Sequence, residues 1–444
     1  MTAPWTPPPP RPYILTNATI INPLDGSLTR NATVQLSNGL IQTITTSPSP
    51  QRTPPNLTTT TITIDLTGKY LCPGLIDSHV HLTAVPGGRT LAETLQLNPE
   101  RIKLRLPFVC QQILRRGFTT VRDCGGAYFA LKEALSANII QGPRLFLAGH
   151  ALTQTGGHGD PRDSFTNTQP TSCCGGMILG IGRIVDGVDE CVKAARDELR
   201  QGADFVKIMT SGGVASPTDT IEQVQFSAEE VAAITGVARQ RGAYVTAHAY
   251  SAAAIRLAIE NGVGGIEHGN LMDRETARMM AAKGVFLTPT MVSYVEIASE
   301  KWRGFLPAEM ERKNQEVLDA GLQSLVLARE DGVTMCYGTD LLGGMTDAET
   351  GEFAIRAKVL GAREILQSAT VNPARMLGME GRLGQVKEGF VADLLVLDAN
   401  PLEYITVLDA PERFLLAVLK EGRVQVSRWS KWPQDVFGEL PVIE

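Results

Sequence analysis

Short apolar runs alternate with longer segments of helical period through the middle of this chain, from Gly74 to about Leu377. Apolar runs of this length fit strands buried on both faces, and apolar residues spaced by three and four fit helices that cover such strands. Strands joined by helices form a parallel sheet, and eight of them can close into a barrel. The predicted strands are residues 75–81, 119–122, 144–148, 205–209, 244–248, 265–268, 286–289 and 333–338. This region is therefore predicted to be a (β/α)8 TIM barrel.

The segments on either side of the predicted barrel have a strand-and-turn pattern instead. Neither is long enough to bury a good core alone, so we expect both to pack into one small β-sandwich domain beside the barrel. The chain is thus predicted to be an α/β protein whose sandwich is built from its N- and C-terminal segments. The predicted regions are a disordered Pro-rich N terminus (1–12), the N-terminal segment of the β-sandwich (13–70), the (β/α)8 barrel (71–378), the C-terminal segment of the β-sandwich (379–430) and a C-terminal tail (431–444).

The charge balance argues against polyanionic partners. The 444 residues carry a net charge of −6 and no basic run, so we expect no binding to nucleic acid or to membranes, and a small-molecule or dipeptide-like substrate instead. The start of the chain lacks a signal-peptide pattern, and no apolar run is long enough to span a bilayer. The seven cysteines, including the adjacent Cys173 and Cys174, are scattered as in a reduced protein. A cytoplasmic location is predicted.

Four of the six histidines follow or end predicted strands. His79 and His81 form an H-x-H pair, and alternate residues of a strand point to the same side. His248 and His268 close the two successive strands at 244–248 and 265–268. Imidazole nitrogens are common ligands of zinc, and barrels of this kind carry their active sites at the carboxyl ends of the strands. The four histidines are therefore predicted to meet at a metal centre.

Two further residues complete the predicted centre. Lys207 lies inside an apolar strand, where burial favours its neutral amine. An amine that has added carbon dioxide becomes a carbamate, whose two oxygens can bridge two metal ions, as an ammonium cannot. Asp340, in a Gly-Thr-Asp sequence after the last strand, offers a carboxylate. The predicted ligands are His79, His81 and Asp340 for one zinc ion, His248 and His268 for a second, and carboxylated Lys207 as the bridge.

Such a site predicts hydrolysis by a metal-bridging hydroxide, with Asp340 taking up its proton and returning it to the leaving amine. Each residue alone has an ordinary structural explanation. An H-x-H pair can be structural, a strand lysine can extend to solvent, and Gly-Thr-Asp is a common turn. Their occurrence together, in the order of the barrel strands, favours the metal centre.

Two motifs resemble those of the metal-dependent amidohydrolases. Residues 73–81, Pro-Gly-Leu-Ile-Asp-Ser-His-Val-His, are similar to the sequence that opens the barrel in that family. Residues 388–397, Glu-Gly-Phe-Val-Ala-Asp-Leu-Leu-Val-Leu, resemble the strand that returns its chain to the sandwich. The resemblance extends from about residue 13 to 426.

Three other segments, 153–160, 207–214 and 266–270, resemble one branch of that family, which holds Xaa-Pro dipeptidase-like carboxypeptidases and the fungal ochratoxinase. This resemblance implies hydrolysis of an amide bond to an amino acid with a free carboxylate, a binuclear zinc site with carboxylated lysine, and often a homo-oligomer. It also places His158 and Tyr250 near the metals, where we expect both to hydrogen-bond the substrate and His158 to assist catalysis. Arg183 is a weaker candidate for a carboxylate partner.

The predicted function is thus a zinc-dependent amidohydrolase acting on N-acyl amino acids, dipeptides or ochratoxin A. A lactonase or esterase remains an alternative, because the same nucleophile attacks esters. A cyclic-amide hydrolase resembling imidazolonepropionase, or a ring deaminase, is a further alternative, but those relatives generally use one metal and need no bridging Lys207. A non-catalytic scaffold is disfavoured because the chain retains all six predicted ligands.

Overall fold

The structure is a computed structural model that describes residues 5–46, 61–165 and 177–435. Five strands precede the barrel. In β1, buried residues alternate with more exposed ones over part of its length, the pattern of a strand with one face on a core. The strands are β1 (Tyr13–Ile21), β2 (Leu28–Ser37), β3 (Leu40–Thr45), β4 (Ile62–Asp65) and β5 (Tyr70–Pro73).

The barrel strands follow in two sheets that are parallel except for the antiparallel pair β10–β11. The strands β6, β7 and β12 are buried along their whole length, because neighbouring elements cover both of their faces. The bounds are β6 (Leu75–Val80), β7 (Phe118–Asp123), β8 (Arg144–Leu147), β9 (Ala151–Thr153), β10 (Met177–Leu179), β11 (Gly182–Ile184), β12 (Val206–Met209), β13 (Val245–Ser251), β14 (Gly265–Leu271) and β15 (Phe286–Thr288). One sheet has the order β6-β7-β8, and the other has the order β10-β11-β9-β12-β13-β14-β15.

The eighth predicted strand, at 333–338, is not a regular strand in the structure. Its only ladder contact within the described residues is an isolated parallel bridge between Leu287 and Met335. Its backbone still joins the two ends of the barrel: Cys336 N–H donates to Leu287 O at 2.7 Å, and Ser78 N–H donates to Tyr337 O at 2.8 Å. The segment thus closes the barrel through a few backbone hydrogen bonds to β15 and β6 and not through a regular ladder.

Thirteen α-helices are found in the described residues, and several show clear boundary signals. A capping box formed by Ser227 and Glu230 starts α5, and Gly284 ends α7 in the left-handed conformation. Within the described ranges, none of the helices has the length and apolarity needed to cross a membrane. The helices are α1 (Leu91–Leu95), α2 (Pro99–Arg115), α3 (Phe129–Ser136), α4 (Gly187–Arg200), α5 (Ala228–Gln240), α6 (Ala252–Glu260), α7 (Arg274–Lys283), α8 (Met291–Ile297), α9 (Ala308–Glu330), α10 (Gly351–Arg356), α11 (Ala362–Ser368), α12 (Val371–Met376) and α13 (Pro411–Phe414).

The chain returns to the first sheet after the barrel. The last strands are β16 (Leu394–Leu397), β17 (Leu415–Lys420) and β18 (Arg423–Ser427). They extend the N-terminal strands into one sheet of order β18-β17-β16-β5-β1-β2-β3, with β4 beside β1. Strand β16 pairs with β5 in antiparallel register, Leu394 opposite Pro73 and Leu397 opposite Tyr70. The predicted fold class, a barrel with a smaller β domain built from both ends of the chain, is confirmed.

Candidate active site

The four histidine rings form a row at the carboxyl ends of the barrel strands. The His79 ring centroid lies 5.3 Å from that of His81 and 5.2 Å from that of His268. The ring of His268 lies 4.6 Å from that of His248. All four side chains are buried, yet all four line one cavity. The structure therefore brings together the four histidines that the sequence singles out.

Asp340 lies at the His81 end of this row. Its Oδ1 is 3.4 Å from His79 Nε2 and 3.2 Å from His81 Nε2. Potential ligand atoms of His79, His268 and Asp340 lie within 4.8 Å of one another, close enough to hold a metal ion. Asp340 and His268 both have positive φ angles, 54° and 75°. Non-glycine residues rarely adopt this conformation, and it is enriched where a functional side chain must be aimed.

Hydrogen bonds fix which nitrogen of His79 and His81 faces the centre. His79 Nδ1 lies 2.8 Å from Glu267 Oε2, and His81 Nδ1 lies 2.9 Å from the carbonyl oxygen of Gly125. A carbonyl or carboxylate oxygen can only accept, so Nδ1 carries the proton in both rings. Each Nε2 lone pair is left for a metal. Metal-binding histidines are generally oriented in this way.

His268 and His248 differ in which ring nitrogen is hydrogen-bonded to the protein. His268 Nδ1 is within 2.7 Å of Thr290 Oγ1 and 2.9 Å of the Tyr294 hydroxyl, which leaves its Nε2 for the centre. His248 Nε2 instead lies 3.2 Å from the carbonyl oxygen of Gly212, which leaves its Nδ1. Each ring thus has one anchored nitrogen and one available nitrogen.

Glu267 is the main anchor behind the row, and the sequence analysis missed it. Its Oε1 accepts a hydrogen bond from Arg122 NH2 at 2.5 Å and one from the Thr246 hydroxyl, while its Oε2 accepts from His79. Burial alone raises the pKa of Glu267, but the positive charges of Arg122 and Lys207 outweigh it and bring that pKa below its ordinary value. The sequence signal that could have identified Glu267 is its position as a carboxylate inside β14, which is buried along most of its length.

Burial keeps three of the four imidazoles neutral, whereas at His81 the hydrogen bond and negative charge of Asp340 outweigh burial and raise the pKa. Burial lowers the pKa of His79 and His248 well below the ordinary histidine value, and it lowers the pKa of His268 to about 3. An unmodified Lys207 ammonium would act in the same direction on all three rings. A neutral imidazole has the lone pair that a metal ion needs, so these rings can coordinate without first losing a proton.

Lys207 lies on β12 and lines the same cavity with only 1% of its surface exposed. Within the part of the chain that the structure describes, no hydrogen bond or salt bridge engages its Nζ. An unmodified ammonium in this position is costly, because a buried charge needs a partner. Lys207 therefore lies at the cavity that the four histidines line.

His158 is held at the far end of the row, stacked on His248 with ring centroids 4.1 Å apart. The Ser216 hydroxyl donates to Asp219 Oδ1 at 2.5 Å, so it accepts from His158 Nδ1–H at 3.0 Å. Lys313 secures the same loop by donating to the carbonyl oxygens of Asp219 at 2.5 Å and Ser216 at 3.0 Å. His158 therefore lines the cavity with its Nε2 free. The sequence analysis predicted His158 but not the three residues that hold it.

Tyr250 lies beside the metal-facing histidines, with its ring 4.8 Å from that of His248 and 5.2 Å from that of His268. Its hydroxyl is 3.0 Å from the Tyr294 hydroxyl, and it is absent from the cavity lining found in the described residues. Its predicted contact with substrate stays a prediction that requires the hydroxyl to leave Tyr294.

The cavity in front of the row has a volume of about 630 Å³, which is within the usual range for small-molecule sites. Arg162 lines it and is oriented by Asp160, to whose carboxylate it donates at 2.8 and 2.6 Å. Arg162 is a cationic group that the sequence analysis did not select, although it directly follows the motif at 153–160. Much of the remaining wall is apolar, including Leu91, Leu95, Ile181, Met209, Met310 and Leu342.

The suggestion that Arg183 binds a substrate carboxylate is not supported. Its guanidinium is buried and donates to Asp197 at 2.9 Å and Glu198 at 3.0 Å, two carboxylates supplied by helix α4. Glu198 also accepts from the backbone N–H of His150. The five cysteines in the described ranges are buried and free, and Cys173–Cys174 lies outside those ranges.

The model of the family described as "Amidohydrolase family" matches residues 70–424. The chain belongs to this family. Amidohydrolases are hydrolases and typically metal-dependent, and the cluster of histidines and Asp340 described above is a possible metal-binding group. The predicted family is confirmed.

Individual amidohydrolases resemble the chain along most of its length. Ochratoxinase from Aspergillus niger is 31% identical over 411 residues, 89% of this chain and 83% of that enzyme. The crystal structure of A. niger ochratoxinase, at 30% identity, has a TM-score of 0.81 and covers 94% of this chain and 95% of that one. The crystal structure of a prolidase complexed with N-methylphosphonate-L-proline, at 39% identity, has a TM-score of 0.87 over 94% of this chain and 100% of that one. The predicted branch is confirmed as well.

Proposed function

We propose that this amidohydrolase cleaves the amide bond that joins an acyl group to an amino acid with a free carboxylate, with two zinc ions bridged by carboxylated Lys207. The observation that carries the proposal is the row of buried imidazoles, each with one anchored nitrogen and one available nitrogen, beside a buried lysine that has no bonding partner among the described residues. N-acyl amino acids, dipeptides and ochratoxin A all contain the bond in question.

The donor set fits two zinc ions. His79 and His81 would offer Nε2 and Asp340 its Oδ1 to one ion, and His268 Nε2 with His248 Nδ1 would serve the other. When bound, the ions polarise the scissile carbonyl and activate water for attack. The assignment to zinc is supported by the nitrogen-rich ligands.

Asp340 is proposed as the proton carrier. Its Oδ1 lies within 3.4 Å of His79 Nε2 and 3.2 Å of His81 Nε2, and its side chain reaches the cavity. The imidazoles next to it hold the pKa of Asp340 below its usual range although burial opposes this, so the carboxylate enters the reaction ionised. It can then accept the proton of the attacking water and deliver it to the leaving nitrogen.

The substrate carboxylate is proposed to lie at the His158 end of the row. Arg162 supplies a permanent positive charge in the same cavity. His158 bonds to the Ser216 hydroxyl through Nδ1, so its Nε2 can donate to or accept from a substrate. A prolidase and an ochratoxinase among the structural relatives both support an amide of an amino acid as the substrate class. Tyr250 is retained as a third proposed contact.

The test is a metal analysis combined with a substrate screen. Zinc-loaded protein should contain about two equivalents per chain and should hydrolyse members of a panel of N-acyl amino acids, dipeptides and ochratoxin A. Matched esters and lactones in the same panel examine the alternative activity. Hydrolysis of the esters with no turnover of any amide would contradict the proposal, and so would full activity of Lys207→Ala.

A further inference from the structure

A second cavity of about 300 Å³ adjoins the active-site cavity. It lies among the loops that follow β6 and β7 and the first turns of helix α2. Its wall includes Ala84, Leu95, Leu97, Pro99, Ile102 and Ile181. Nothing in the proposed reaction uses this space.

The two cavities share a stretch of wall. Leu95, Gly180 and Ile181 line both of them. At Gly180, which has a φ of 60°, an added Cβ would meet among the described residues the carbonyl oxygen of Leu95, at 3.9 Å, in ordinary van der Waals contact. The wall that the two cavities share therefore carries no side chain at Gly180.

The second cavity lies at the His81 end of the histidine row, opposite to His158. His81 Nδ1 is bonded to the carbonyl oxygen of Gly125, and a Cβ on Gly125 would lie 3.1 Å from the Ile181 carbonyl oxygen and 3.4 Å from His81 Cε1. His81 and Ile181 are thus neighbours across Gly125. A substrate with its carboxylate near His158 and its amide in front of the histidine row would direct its acyl group towards His81.

The lining favours an uncharged occupant. Lys103 is the charged residue of the wall among the described residues, but its side chain is 54% exposed and its Nζ bonds to Glu100 at 2.9 Å. The hydroxyl of Thr94 donates to its own helix, to the carbonyl oxygen of Thr90 at 2.9 Å. The remaining surface is largely apolar, and it gains free energy when hydrocarbon replaces water.

We propose that the second cavity is the binding site for an extended apolar acyl chain, so that the preferred substrates are amino acids N-acylated with medium-length fatty acyl groups. This inference rests on the proposed function. Water adds its oxygen to the acyl carbon, the C–N bond breaks, and the proton goes to the leaving nitrogen, giving a fatty acid and a free amino acid. The hydrocarbon end is held on the far side of Gly180.

The experiment is a chain-length series of one amino acid, from N-acetyl to N-dodecanoyl, on zinc-loaded protein. Burial of one methylene is worth a factor of about four, so kcat/KM should rise by about that factor per carbon until the cavity is filled. Ile102→Trp and Leu97→Trp each fill the second cavity and should abolish most of this rise while the N-acetyl substrate is cleaved as before. Leu104→Trp is the matched control, because Leu104 lies on the same helix with 81% of its surface exposed.

Binding of the same compounds to metal-free protein, measured by calorimetry, provides a second measurement that does not depend on turnover. The N-decanoyl compound should bind more tightly than the N-acetyl compound, and Ile102→Trp should remove the difference. Turnover of the N-acetyl compound with no gain from longer chains would overturn the second site alone. No turnover of any member would overturn both the proposed function and this inference.

Discussion

Replacing Glu267 by glutamine tests whether the residues behind the histidine row organise the metal centre. Glu267 Oε2 accepts the Nδ1–H of His79 at 2.8 Å, while Oε1 accepts from Arg122 and Thr246. A glutamine amide has one oxygen and one NH2 group. Whichever way it turns, the NH2 group faces a donor, either the His79 ring or the Arg122 guanidinium.

Two effects of different size follow from this geometry. Loss of the hydrogen bond that orients a metal-binding histidine typically lowers metal affinity about 10- to 100-fold. Arg122 and Glu267 have no exposed surface, so the substitution also leaves a buried guanidinium without its counter-charge. Breaking such a buried pair costs about 3–5 kcal/mol of unfolding free energy.

The assay is zinc affinity by competition with a chelator, together with urea unfolding of the zinc-loaded and metal-free protein. Glu198→Gln is the matched control, because Glu198 is another buried glutamate paired with an arginine, Arg183, and it lies outside the cavity lining. Both variants should be less stable than wild type, and only Glu267→Gln should bind zinc more weakly. Wild-type zinc affinity in Glu267→Gln would refute the orienting role.

Further predictions concern Lys207, the position of the His158 ring and the metal ions. Lys207→Ala should lose most bound zinc and activity, and added acetate should restore some of both by supplying a carboxylate. Lys420→Met should keep its zinc, because Lys420 is a buried lysine of β17 whose Nζ donates to the Gly142 carbonyl oxygen at 3.0 Å. An unchanged zinc content in Lys207→Ala would argue against the bridge. Gly213→Ala should raise KM about tenfold or more, because its Cβ would overlap the His158 ring. In the control Gly236→Ala, the Cβ meets no described atom within 4 Å, so KM should stay unchanged and helix α5 should be stabilised by about 0.5–1 kcal/mol. Equal KM values for the two variants would contradict the proposed role of His158 in binding substrate. Chelation should lower the melting temperature, and zinc should restore it in a concentration-dependent manner; a melting temperature that is independent of zinc would contradict the metal centre.

The sequence predicts those features that depend on local pattern. Short apolar runs and helical periods indicated the barrel, and the position of His248 and His268 at successive strand ends brought their rings together as expected. The segment at 333–338 departs from the prediction because, among the described residues, it forms one isolated bridge to β15 and a few other backbone hydrogen bonds, and this pairing depends on tertiary placement that no local pattern reports. Apolar content alone could not show that this run lacks a regular ladder.

Residues that act through tertiary placement were not predictable in the same way. Arg122 lies 145 residues from Glu267 in sequence, and Lys313 lies 94 residues from Asp219, so only folding brings each pair together. Arg183 is the opposite case, a residue that the sequence suggested for the site but that the fold uses elsewhere. Its position near the site motifs suggested substrate binding, but helix α4 supplies two carboxylates that neutralise it.

The strand that leads into the first two histidines is fastened by the last segment of the chain. Strand β5 is paired with β16, and the backbone N–H of Gly74, the residue between β5 and β6, donates to the Asp393 carbonyl oxygen at 2.9 Å. During synthesis the pairing of β5 with β16 can form only after residues near 400 have left the ribosome, long after His79 and His81 have emerged. A chain released before β16 is made would consequently carry His79 and His81 without the pairing that fixes the start of their strand.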